Sequence, residues 1–195
     1  MEKQFNNPKN ILVVRLGAMG DIVHVMPAVI NLRTAFPSAR ISWLVEDKHK
    51  DLVECLPGID DVIVFPRRQW QSSLKYPQKY FKIISEARMF LKKLRDKKYD
   101  VALDFHGNFK SGLLTYLSNA KTRIGFPKGH CKEFNFVFTN LRITPQQKKM
   151  HRVDKYLTLL RGLGIEAHYQ RPVFSIPHTD RLYIEDFIHQ NHLNQ

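Results

Sequence analysis

The sequence predicts an α/β fold, an open and mostly parallel sheet with helices on both of its faces. Two observations predict it. Short apolar segments of strand length alternate with segments whose apolar residues recur at helical spacing, and βα repeats so close together favour parallel strands. The 195 residues, 43% of them apolar, are enough for one sizeable core and short for two domains.

Taken in order, Ile11–Val14 reads as a short buried strand. A tight turn holding Gly17 and Gly20 leads into a helix over Ile22–Phe36, ended by Pro37. Arg40–Val45 is the next strand, with Ile41, Trp43 and Val45 on one face, and Glu46 follows it. Lys50–Leu56 is a short helix stopped by Pro57-Gly58, and Asp61–Phe65 is a third strand. A loop rich in Arg, Gln, Ser and Pro, from Pro66 to Gln78, interrupts the alternation. Phe81–Lys98 then carries Ile83, Ala87, Phe90, Leu91 and Leu94 at helical spacing, which predicts a core-facing helix with a solvated basic face. Tyr99–Phe105 is a strand ending in His106-Gly107-Asn108, Lys110–Leu117 a helix and Arg123–Phe126 a short strand. Pro127–Asn140 is irregular. His151–Leu163 is a helix with Val153, Tyr156, Leu157 and Leu160 inward and Gly164 beyond it as the cap. After Pro172–Pro177 one more helix begins, Asp180–Gln190.

The charge balance narrows the function. Lys and Arg total 31 against 18 acids, a formal net charge of +13, with a sequence pI near 9.8 and a mean hydropathy of −0.36. Such an excess calls for an anionic partner: nucleic acid, acidic lipid or a phosphorylated ligand. From Arg67 to Lys98 there are 11 basic residues and two acids, Glu86 and Asp96. No apolar run approaches the roughly 20 residues that cross a bilayer, and Glu2, Asn6, Asn7, Lys9 and Arg15 break up any secretory signal. Cys55 and Cys131 have no metal-ligand spacing, and no His-x-x-x-His or Cys-x-x-Cys pair occurs, so no metal site is expected. The cysteine usage suits a reducing cytoplasm.

The chemistry-bearing residues gather at strand ends. Asp21 directly follows Gly20 after the first strand, where open α/β sheets bind ligands. Spacing alone leaves two readings of it: a crevice carboxylate with work to do, or a first-turn helix residue favoured by the helix dipole. Three further clusters are Arg67-Arg68-Gln69-Trp70, the run Leu103 to Gly112 with His106, Gly107 and Lys110, and Thr122-Arg123-Ile124-Gly125-Phe126. Each alone fits solvated loop chemistry. Together they predict that Arg67, Arg68, Lys110 and Arg123 face the same crevice as Asp21.

The ordered set of blocks resembles the ADP-heptose:lipopolysaccharide heptosyltransferases of glycosyltransferase family 9. The blocks are Arg15-Leu-Gly-Ala-Met-Gly-Asp-Ile-Val-His24 with Pro27-Ala28, Phe36 to Glu46, Asp104 to Ser111, Arg123 to Phe126 and His151-Arg-Val-Asp154. Trp43 and the Arg67 to Trp70 block are most similar to the type I enzymes, and the resemblance spans about residues 9–175. It implies a GT-B glycosyltransferase, two Rossmann-like domains with the acceptor on the N-terminal one, which would be this chain. Catalysis would be inverting and metal-independent, with ADP-heptose as donor substrate and no cofactor. Asp21 matches the family's general base on the Kdo hydroxyl. Arg67, Arg68 and Arg123, with His106 and Lys110 close by, match the acceptor side, where guanidinium groups grip carboxylates and phosphates bidentately. Kdo-lipid A and an anionic membrane surface are the implied partners, at the cytoplasmic face of the inner membrane of a Gram-negative bacterium.

Residues 1–175 are thus expected to form the acceptor-binding domain, and 176–195 the start of a connection to a donor domain that these residues do not contain. A truncated chain, inactive alone, or a second chain supplying the donor half both follow. A smaller departure is His106, where relatives often carry Gln. A non-enzymatic nucleic-acid-binding domain is the alternative, motivated by the charge and by Trp70, Tyr76, Tyr80 and Phe81 among the basic residues. No nucleic-acid signature accompanies them, and no nucleic-acid partner is expected. A dehydrogenase-like dinucleotide module is opposed by the lack of Gly-x-Gly-x-x-Gly, although Glu46 follows the second strand where a ribose-binding acid would sit.

Overall fold

A computed structural model describes residues 7–147 and 149–193; the ends of the expected 1–175 and 176–195 units, residues 1–6 and 194–195, lie outside the described residues. Six strands form one sheet: β1 (Asn10–Val14), β2 (Arg40–Glu46), β3 (Asp61–Phe65), β4 (Val101–Asp104), β5 (Thr122–Gly125) and β6 (Leu141–Arg142). Their order is β3-β2-β1-β4-β5-β6 and every pairing is parallel. The helices are α1 (Met19–Ala35), α2 (Lys50–Glu54), α3 (Arg67–Ser73), α4 (Tyr80–Asp96), α5 (Phe109–Leu117), α6 (Arg152–Arg161) and α7 (His178–Gln190).

Strand alternation divides the core in two. Ile11, Val13, Ile41, Trp43, Val45, Val101 and Leu103 point to one face, under Val25, Val29 and Leu32 of α1, Val53 of α2 and Leu157 and Leu160 of α6. Leu12, Val14, Leu44, Ile63 and Ala102 point to the other, against Leu94 of α4 and Leu114 of α5. Helices thus cover both faces, as the pattern predicts. Gly164, with φ +78°, turns the chain after α6, where the Ile165 amide donates to the Leu160 carbonyl at 3.1 Å.

Three details differ from the sequence reading. The loop after Pro66 holds α3, which buries no residue. Tertiary contacts fasten it: Phe65, Trp70 and Phe90 meet edge to face at 5.4–5.9 Å, and Trp70 Nε1 donates to Glu86 at 3.2 Å. Strand β6 went unread because two residues carry no alternation. The basic helix α4 is core-facing only over its second half. Leu94 is its sole buried residue, and Phe90 already packs on Phe65, the last residue of β3. The turns of α4 before Phe90 therefore pass the carboxyl edge of the sheet.

Asp104, at the end of β4, is completely buried. Its carboxylate accepts from the His106 and Gly107 amides at 2.9 and 3.0 Å, Ser111 Oγ at 2.9 Å and Asn135 Nδ2 at 2.6 Å. Burial pushes this carboxyl up, against the opposing pull of those four bonds. The knot locks the 105–108 turn, the start of α5 and the irregular 127–140 segment to one strand end. Asp104→Ala leaves the His106 and Gly107 amides without an acceptor, while Ser111 and Asn135 keep the Asn108 carbonyl, and should cost about 2–5 kcal/mol. Urea unfolding checks this, and an unchanged midpoint would remove the knot from the stability of the fold.

Candidate active site

The strand order reverses between β1 and β4, and the crevice beyond that point collects the polar residues. Arg15 follows β1 and is buried. Its Nη1 donates to the Phe105 carbonyl at 2.9 Å and to the Tyr156 hydroxyl at 3.1 Å. Its Nη2 pairs with Asp21. Burial draws the Arg15 guanidinium below its ordinary pKa, with Tyr156 and Asp21 opposing. The other Asp21 oxygen pairs with Arg152, the first residue of α6. The Asp21 side chain keeps 23% exposure and Arg152 61%, whereas Arg15 keeps 5%. One arginine is therefore fixed and the other free to leave.

Asp21 is the third residue of α1, so the helix-dipole reading also holds for its position. The two glycines before it serve differently. A Cβ on Gly17 would come within 3.2 Å of the His49 ring, so glycine lets turn and ring approach without the imidazole having to shift. A Cβ on Gly20 would meet nothing within 4 Å. The space beside Asp21 is open there.

A second cluster lies on the β2 side of the crevice. Glu46, buried at the end of β2, pairs with Lys110 Nζ at 2.7 Å and Arg67 Nη1 at 3.1 Å. Burial alone would raise the Glu46 carboxyl, but Lys110 and Arg67 outweigh it and the net shift is downward. Lys110 also stands 5.7 Å over the Phe65 ring. The buried His49 has no hydrogen-bond partner on either ring nitrogen, and burial lowers its pKa, with Lys48 and Arg68 adding to the effect. His106 joins the two clusters. Burial and then the charges of Arg15 and Lys110 push it down to about 4, and it also feels Glu46 and Asp21.

The structure thus gathers Asp21, Gly17, His106, Lys110 and Arg67 around one crevice, with the exposed Arg68 beside His49 at its rim. Arg123 corrects the expectation. It pairs in register with Ala102, within the strand rather than at its end. Its guanidinium donates to the Phe138 carbonyl at 3.0 Å and the Ala120 carbonyl at 2.9 Å, over the Tyr116 ring. It braces α5 against the 127–140 segment instead of converging on Asp21. Sequence reasoning gave no role to Arg15, Arg152, His49 or Tyr156. Arg15 had a visible signal, a lone charge inside the apolar run Ile11 to Leu16. The other three meet the site only through tertiary packing. Among the described residues no group of His, Cys, Asp and Glu could hold a metal ion.

His106 carries a testable consequence. Its folded value of about 4 lies below the ordinary 6.5, so the unfolded chain binds the extra proton and stability falls as pH drops between those values. His106→Gln should flatten that fall by up to roughly 3 kcal/mol. Urea midpoints at pH 7, 5.5 and 4.5 test it. An unaltered slope would assign the acid sensitivity to another group.

Comparison with known proteins gives the family and the fold. The chain is 23% identical over 181 residues to the lipopolysaccharide core heptosyltransferase OpsX of Haemophilus influenzae, covering 93% of this chain and 48% of that protein. It is 29% identical over 105 residues to lipopolysaccharide heptosyltransferase 1 of Pseudomonas aeruginosa, covering 54% of this chain and 28% of the other. Among solved structures, Escherichia coli heptosyltransferase WaaC with ADP-2-deoxy-2-fluoro heptose superposes with a TM-score of 0.67 and 26% identity, over 84% of this chain and 50% of that one. The chain thus spans half or less of the length of these relatives. Its fold is that of one Rossmann-like half of a GT-B glycosyltransferase. With residues 87–193 matching the family profile itself, the chain belongs to glycosyltransferase family 9, the heptosyltransferases.

Proposed function

We propose that these residues form the acceptor-binding, general-base side of an inverting heptosyltransferase that moves heptose from ADP-heptose to a Kdo sugar of lipid A, as a type I enzyme would. The observation that carries this reading is Asp21, held at the switch point by buried Arg15 and open on the Gly20 side. A Kdo hydroxyl attacking the anomeric carbon forms the new glycosidic bond as the bond to ADP breaks. Its proton needs an acceptor within hydrogen-bond reach. Asp21 takes that proton once the exposed Arg152 swings off its second oxygen. Arg67, Arg68 and Lys110 hold the carboxylates and phosphates of the acceptor, and His106, neutral at pH 7, contributes a hydrogen bond rather than a charge. No step calls for a metal ion.

The division of labour follows from the same reading. Residues up to about 175 act as the acceptor domain, and the donor site lies outside these 195 residues. The Ser175 amide still donates to the Cys55 carbonyl at 2.8 Å, whereas α7 beyond it buries none of its residues. We place the reaction at the cytoplasmic face of the inner membrane, where a lipid A acceptor is displayed.

Three measurements test the reading. The 195 residues alone should bind a Kdo-bearing lipid A analogue yet transfer no heptose; turnover with ADP-heptose would refute the division. In a complete enzyme carrying this domain, Asp21→Asn should leave acceptor binding near normal and cut kcat on the order of 10²–10⁴-fold. Unchanged kcat would reduce Asp21 to a helix-start residue. Replacing both Arg67 and Arg68 by Ala should weaken acceptor binding, as raised salt should, with only a small fall in thermal midpoint, since both side chains are exposed and Lys110 still pairs with Glu46.

A further inference from the structure

The outer face of the α3–α4 arm is not explained by the crevice. Helix α4 starts past the carboxyl edge of the sheet, and the tip of the arm carries Leu74 and Tyr76 of the α3–α4 connection and Tyr80, Phe81 and Ile84 of α4, all exposed. Phe81 is 87% exposed, and Met89 further along is 68% exposed. Phe81 lies nine residues before Phe90, roughly 13 Å along the helix from the last contact with the sheet. Bulky apolar side chains so far from the core gain nothing from the fold itself. Around them stand Lys75, Lys79, Lys82, Arg88, Lys92 and Lys93, and between Arg67 and Lys98 the basic residues outnumber the acids 11 to two. Of those two acids, Glu86 is mostly turned inward, accepting from Gln69 at 3.0 Å and Trp70 at 3.2 Å, with a long ion pair of 3.9 Å to the exposed Lys82. Glu86 thus ties α3 to α4 and offsets at most Lys82, which leaves the outer face cationic.

We propose that this arm is a membrane foot: the tip around Phe81 and Ile84 enters the interfacial layer of an anionic bilayer while the surrounding lysines and arginines engage lipid headgroups. Charge complementarity selects this occupant. An anionic bilayer offers a negative surface and, directly beneath it, an apolar layer, which the two halves of the face require together. A nucleic acid would match the charge and could stack on Tyr76 or Phe81, but it offers nothing to Leu74, Ile84 or Met89. A second copy would bring the same positive charge to the contact and be repelled. The placement also serves the crevice. Helix α4 begins on the sheet edge where Asp21 and Arg67 lie, so a foot there brings the site to the surface that displays a lipid-linked acceptor. The inference deepens the proposed function but is tested without any sugar.

The test is flotation of the 195-residue chain with phosphatidylcholine vesicles, with and without one-third phosphatidylglycerol and lacking lipopolysaccharide. The chain should float with the anionic vesicles and not with the neutral ones. Phe81→Ser with Ile84→Ser should lower that affinity roughly tenfold or more and abolish the binding that survives high salt. Lys79→Ala with Lys82→Ala should lower it by a similar factor at low salt. An unchanged thermal midpoint in the serine and alanine variants shows that folding is intact, since every side chain they replace is exposed. Four outcomes would overturn the foot: equal binding by the serine variant, flotation only with vesicles carrying Kdo-lipid A, salt-steep binding to random oligonucleotides in place of vesicles, or a dimer that the serine variant abolishes. Flotation only with Kdo-lipid A would leave the proposed function standing, whereas vesicle binding without binding of the Kdo analogue would remove the acceptor reading and keep the foot.

Discussion

The buried guanidinium of Arg15 is the constraint on which the rest of the site depends. Taking a charge out of water costs several kcal/mol unless partners replace the lost hydration. Here the replacements are the Phe105 carbonyl after β4, the Tyr156 hydroxyl on α6 and the Asp21 carboxylate on α1. Those three groups come from three different elements around the switch point. None can move far without stranding the charge, so the position of Asp21 is fixed from behind by the cost of leaving Arg15 alone. The same logic explains why Arg152 can be spared. It lies in water, where an ion pair contributes little.

Two further carboxylates organise the walls. Asp104 gathers neutral donors and so fixes backbone: the turn carrying His106 and the segment around Asn135. Glu46 gathers cations and so fixes side chains, holding Lys110 and Arg67 toward the crevice although they sit 43 residues apart in sequence, at positions 110 and 67. Burial would raise both carboxyls. Only at Glu46 do cations reverse the direction, so that carboxyl alone ends below its ordinary value. One is a structural knot and the other an electrostatic clamp.

Much of this was legible in the sequence, for definable reasons. Alternation along Ile41, Trp43 and Val45 revealed a strand because both faces of the sheet are covered and the inward face must be apolar. The Gly-x-x-Gly-Asp turn revealed the crevice because parallel strands deliver their ends to one edge. Arg123 was misread because the argument from strand ends assumes that a basic residue near a strand is at its terminus. It lies at the second position of β5, and its donors are claimed by the Ala120 and Phe138 carbonyls. Helix α3 was missed because it depends on an aromatic triangle and on Glu86, neither of which leaves a periodic trace. The partly core-facing nature of α4 was missed for a similar reason. Periodicity reports which face is apolar, not where along the helix the sheet stops.

Under the proposed function, the clamp at Glu46 would also set how an anionic acceptor binds. Arg67 and Lys110 reach the crevice already paired, two cations against one carboxylate. The incoming anion therefore competes with a buried group that cannot turn to water, and a single weak charge gains little. Arg68 has no ion pair among the described residues and stands at the rim beside His49. It can make first contact at no cost to the clamp. A ligand with several separated negative groups can engage Arg68, then share Arg67 and Lys110 with Glu46, and finally draw Arg152 from Asp21. Only that last exchange exposes the carboxylate to a hydroxyl. In the proposed reaction, the order of these exchanges, set by which cations are buried and which are free, would couple recognition of a polyanionic acceptor to release of Asp21 as the base.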